Sequence, residues 1–164
     1  MQRKIGIAVA AIAMVAVSTT IALAAITFHS GPTVVFNSDG SATATGNLSG
    51  LGNTPATATL QVTTSFRYTC QNKGGNVAPG QNSVEVIGQP GTQTLSSTDK
   101  NGRADLSVTA PAAVPSPTVS GTTAGCPNGN WTGVNPVQVG PASATLTITQ
   151  GGQVIFGPMT FFAP

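Results

Sequence analysis

The sequence predicts an all-β fold, an antiparallel immunoglobulin-like sandwich of about seven to nine strands preceded by an N-terminal apolar helix, and three observations carry that prediction. Beyond residue 24 the chain is dominated by short Thr- and Val-rich stretches in which apolar and polar residues alternate, the period of a half-buried strand. Clusters of Gly, Pro, Asn and Ser separate these stretches, and no amphipathic helix pattern interrupts them. Charged residues make up only 6% of the 164 positions, which is low for a cytosolic protein. At this length one sandwich domain over residues 25–164 is the default.

The first 24 residues read as a signal peptide. Arg3 and Lys4 supply a basic start, residues 5–17 an apolar run rich in Ala, Ile and Val, and Ala22-Leu23-Ala24 the small residues that a signal peptidase reads. Cleavage after Ala24 would leave a chain beginning at Ala25. The alternative keeps the segment, because residues 5–26 exceed the roughly 20 apolar residues that span a bilayer. Ser18, Thr19 and Thr20 do not exclude this, since hydroxyls can bond back to helix carbonyls. Either route predicts an extracellular or cell-surface location, with membrane contact only through an uncleaved N-terminal segment. In an exported chain an even number of cysteines reads as a bridge, here Cys70 to Cys126. Closing that loop of about 57 residues contributes roughly 4 kcal/mol in the chain-entropy model. Two unpaired buried thiols are the other reading.

The strands follow in order. Residues 33–36 and 41–48 are short candidates. The clearest strand is 59–70, with Leu60, Val62, Thr64, Phe66, Tyr68 and Cys70 on one face and Gln61, Thr63, Ser65, Arg67 and Thr69 on the other. Its length, about 40 Å at roughly 3.3 Å per residue, predicts a bend or a switch between sheets. Residues 71–82 read as a polar, Gly-rich loop, then 83–87 as a short strand. A turn at Asp99-Lys100-Asn101-Gly102 leads into 103–110, with Leu106 and Val108 inward and Asp105, Ser107 and Thr109 outward. Residues 110–127 form a loop with four prolines, followed by a candidate strand at 134–139. Residues 144–149 turn at Gly151-Gly152 into 154–156. A last strand with Met159, Phe161 and Phe162 follows a break at Gly157-Pro158.

Three stretches together resemble a group of small exported microbial Ig-like β-sandwich proteins of unknown function: Gly50-Leu51-Gly52-Asn53, CQNKGGNVAPGQN at 70–82, and CPNGNW at 126–131. The resemblance covers most of the chain after the leader and implies a fold and an exported location, but no activity. Separately, TDKNGRA at 98–104 is similar to the turn before a late strand in bacterial Ig-like domains of surface adhesins.

The residues offer no constellation for catalysis. The only acids are Asp39, Glu85, Asp99 and Asp105; Asp99 and Asp105 fall at a turn and on an outward face, and Glu85 alternates with Val84 and Val86 and points outward. The single histidine, His29, reads as a surface residue far from any Gly-flanked serine. One His, two bridged Cys and no carboxylate cluster offer no metal site and no cofactor site. Asp99, Asn101 and Asp105 resemble the start of a calcium loop but lack its later acid, so a plain turn is the reading. After the leader, Arg67, Lys73, Lys100 and Arg103 balance the four acids, and a neutral body without a basic stripe argues against a nucleic-acid partner.

What remains are binding and assembly. Trp131, in Asn128-Gly129-Asn130-Trp131, and Tyr68 are candidate rings for stacking on a glycan, set against the reading that a Trp beside a disulfide belongs to the core. Asn47 and Asn130 head N-glycosylation acceptor patterns. Outward strand positions are mostly Thr, Ser and Gln, which leaves strand edges open to self-association. The sequence therefore predicts a non-enzymatic extracellular or cell-surface protein with a structural or adhesive role. Two alternatives stand beside it. One is a pilin-like filament subunit retaining residues 7–26 as a helix, though Ala11 stands where such subunits carry a Glu. The other is a carbohydrate-binding module using Trp131.

Overall fold

A computed structural model describes residues 25–164. The basic start, most of the apolar run and the Ala24 cleavage site lie outside the described residues. Ile26, the last residue of the apolar span, lies outside any helix and packs against the sandwich core, and strand begins at Thr27. A retained helix of the pilin kind would therefore end before residue 26.

Ten strands and one helical turn follow: β1 (Thr27–Phe36), β2 (Ala42–Ser49), β3 (Ala56–Gln71), β4 (Val77–Ile87), β5 (Gly91–Leu95), β6 (Ala104–Ala110), β7 (Thr118–Ser120), α1 (Gly121–Ala124), β8 (Thr132–Gln138), β9 (Ser143–Gln150) and β10 (Gln153–Phe162). They form two antiparallel sheets, β1-β2-β6 and β10-β9-β3-β8-β7, with β4 and β5 also paired to β3.

The alternation read at 59–70 extends to Ala56 and Gln71, and every even residue from Ala56 to Cys70 is buried. The long strand does not switch sheets; its partners change instead. Over 56–63 it pairs with β9 on one side and, from Ala56 to Leu60, with β5 on the other. Beyond that it pairs with β8 and β4. The joints carry Pro90 and Pro141, which have no N–H to donate to a ladder. Both later registers slip between Arg67 and Thr69, where the extra residues belong to β4 and β8 and bulge out of the ladder while β3 runs on.

The first half of β3 faces the three-stranded sheet across the main core. Eight of its 17 buried residues are alanines, so the sheets meet through short side chains. The sandwich is tied along one side as well. Gln93 of β5 donates from Nε2 to the Asp105 carbonyl at 3.0 Å and accepts the Ser107 N–H at 2.7 Å, so one side-chain amide completes a ladder between sheets. Here a Cβ on Gly91 would collide with the Thr109 carbonyl, so only glycine lets β5 come this close to β6.

Several loop expectations are corrected. Residues 77–82 belong to β4 rather than to a loop, leaving only 72–76 as the turn, closed by Asn72 Oδ1 accepting the Asn76 N–H at 2.9 Å. Strands β5 and β7 were not evident from pattern: β5 buries only Leu95 fully and β7 has three residues. Met159, Phe161 and Phe162 continue β10 through Gly157-Pro158 with a register slip instead of starting a new strand.

Candidate functional site

Among the described residues no second sheet lies opposite the second half of β3. Phe66, Tyr68, Cys70 and Ala124 form a separate small cluster, with Val119, Cys126 and Trp131 packed against it. The cover comes from the 110–127 segment. Tyr68 donates its hydroxyl to the Ser116 carbonyl at 2.9 Å, and the α1 turn, capped by the Ser120 hydroxyl accepting the Thr123 N–H, lays Ala124 on the strand. Gly133 is needed beneath it, because a Cβ there would stand 2.7 Å from both Ala124 Cβ and Val119 Cγ2. The Cys70–Cys126 disulfide, with Cα atoms 5.6 Å apart, fastens this cover to the end of β3.

The bridge joins two stretches of the same form, Cys70-Gln71-Asn72 and Cys126-Pro127-Asn128. Beside it lies an open cleft of about 650 Å³ lined by Asn72, Lys73, Gly74, Asn128, Asn130 and Trp131, within the size range of small-molecule sites. Trp131 is half-buried, with part of its ring on the tip cluster and part in the cleft wall. Asn72 Oδ1 is taken by the Asn76 N–H and Asn128 Oδ1 by the Asn130 N–H at 3.0 Å. Each carboxamide is thus oriented by one bond to its oxygen, and its NH₂ group is left to donate. Lys73 is the one ionisable side chain in the lining and forms no ion pair among the described residues.

The other residues singled out from sequence lie elsewhere. Tyr68 is only 2% exposed and its hydroxyl is satisfied, so it is a core ring of the tip, not a stacking surface. Asn130 is exposed in the cleft wall. Asn47 is half-buried in β2, between β1 and β6, and donates to Asp105 Oδ1 at 2.6 Å. His29 is exposed and bonds Ser49 Oγ at 2.8 Å. Asp99 Oδ1 accepts the N–H groups of Asn101 and Arg103, the geometry of a plain turn, and Glu85 points outward.

A second recess, about 440 Å³, lies where sandwich meets tip, above Thr64 and Phe66. Its one ionisable group, Asp39, is held below the ordinary carboxyl value by the Ser41 hydroxyl and then the Ser41 N–H.

Asn72, Lys73 and Asn128 did not stand out as ligand groups in the sequence, although they sit in the two Cys-anchored stretches. The available signal was the repeated Cys-x-Asn, which becomes a site only once the bridge is formed. Comparison with family models, with curated proteins and with solved structures finds no match to this chain.

Proposed function

We propose that the protein is an exported, non-enzymatic module of the immunoglobulin-like sandwich type, held at or released from the cell surface, with a structural or adhesive role exerted through its tip. The observation that carries this reading is the polarity of the molecule. Ala25 lies against Gly50, at the end of the sandwich where Gln150 holds the Leu51 and Thr54 carbonyls and pairs with Ala56. The Trp131 cleft lies beyond Gln71, at the other end of β3. Sixteen strand residues separate the two, about 50 Å at roughly 3.3 Å per residue. A chain attached or delivered at its N-terminus thus presents the stapled tip farthest from the attachment.

Other features support the parts of this reading. The disulfide agrees with an oxidising compartment. The orders β1-β2-β6 and β10-β9-β3-β5 correspond to strands A-B-E and G-F-C with an added C′ in such sandwiches, with β7, α1 and β8 as an insertion between E and F. The outer strands β1 and β10 each lose register beside a proline, Pro32 and Pro158, a feature that blunts edges and favours the tip over edge-to-edge association.

The test is binding of labelled, oxidised protein to cell-surface preparations. Asn128→Arg at the tip is expected to abolish it and Asn53→Arg at the opposite end to leave it unchanged. Equal loss from both, or turnover of a substrate that a single named residue supports, contradicts the proposal.

A further inference from the structure

We infer that the tip cleft binds a pyranose ring, stacked on Trp131 and hydrogen-bonded by Asn72, Asn128 and Asn130; this rests on the tip being the functional end. The cleft is lined by one indole together with amide donors oriented by local hydrogen bonds. The electron-rich face of an indole attracts the weakly positive C–H groups that line one face of a sugar ring. Trp131 packs against the tip cluster, which restricts its ring, so little side-chain freedom is lost on stacking. Sugar hydroxyls both donate and accept. The Nδ2 groups of Asn72 and Asn128 donate to them from positions fixed by local backbone bonds, while Asn130, whose side chain is exposed, offers both an acceptor and a donor.

No acid lines the cleft, which fits a neutral sugar and equally one bearing a carboxylate opposite Lys73. The shared chemistry is the ring on Trp131, and the charge of the sugar is read by experiment. Since Trp131 is the only tryptophan, its fluorescence reports on this site alone.

Titration of the oxidised, full sandwich with soluble neutral oligosaccharides (mannan, xylan, β-glucan and chitin fragments) and with oligogalacturonate is expected to give a saturable emission change with at least one. Asn130→Ala, which removes an exposed side chain that makes no hydrogen bond among the described residues, is expected to weaken that binding about tenfold at an unchanged melting temperature, a control that Trp131→Ala alone would not provide because its ring also packs on the core. Lys73→Met is expected to weaken oligogalacturonate only, if the bound sugar is acidic, and to leave a neutral one unaffected. No saturable change with any of these sugars up to millimolar concentration overturns the inference. Tip-dependent cell binding together with that negative result overturns the sugar assignment while the adhesive reading stands. Loss of both overturns both.

Discussion

Residues 56–62 and 64–70 of β3 present the same face of alternating buried side chains, yet the first set lies against a second sheet and the second set does not. In the sandwich, 17 buried residues share one core, all from the two sheets except Leu51 and Ala113. In the tip cluster only four of the described residues are buried, beneath a proline-rich segment and one helical turn. So small a cluster yields little hydrophobic free energy at about 25 cal/mol per Å². The covalent bridge supplies what the missing sheet would have contributed. Identical strand patterns can therefore be stabilised by opposite means, and the means chosen for the tip leaves it loop-built and open, the usual setting for a binding site.

The difference can be broken from either side. Replacing both cysteines by alanine removes the restraint on a loop closed across a separation of 56 residues. Denaturant unfolding should show a loss of about 4 kcal/mol, and cleft fluorescence should melt before the sandwich far-UV signal. Coincident transitions would mean that the tip does not depend on its bridge. Leu60→Ala, in the sandwich core at 0% exposed, should cost about 3 kcal/mol and lower both signals together.

Tyr68→Phe sharpens the comparison inside the tip. It deletes one hydrogen bond to the Ser116 carbonyl and should cost about 1 kcal/mol, with faster proteolysis around residue 116 and no change in core protection. The smallest effect concerns Asp39. Its folded carboxyl titrates below the ordinary value, so the unfolded chain binds more protons in that interval. The contribution is therefore present above about pH 4, is lost as pH falls through the folded value, and vanishes in Asp39→Asn; melting curves between pH 2 and 5 compare the two.

The sandwich was legible because its strands obey a strict period of two. Arg103–Ala110 and the Gly151-Gly152 hairpin are read directly from inward Leu106, Val108, Leu146 and Ile148. The tip was less so. Val77–Pro79 pair with β3 and Gly80–Asn82 fall in the register slip, and their side chains stay mostly exposed, so this part of the strand carries no hydrophobic signature. Trp131 and the cysteines were visible as residues, but Asn72 and Asn128 are separated by more than 50 positions and become neighbours only through the bridge. Tyr68 reads as a candidate ring because alternation alone does not show what covers the inner face of β3.

The central claim, that one strand is held by a sheet at one end and by a disulfide at the other, is tested most directly by native-state hydrogen exchange before and after mild reduction. The expected result is loss of protection at Cys70, Gly133 and Val134 with retention at Ala58, Leu60, Leu146 and Val108. Uniform loss along β3, or unchanged protection at Cys70 and Gly133, would contradict it.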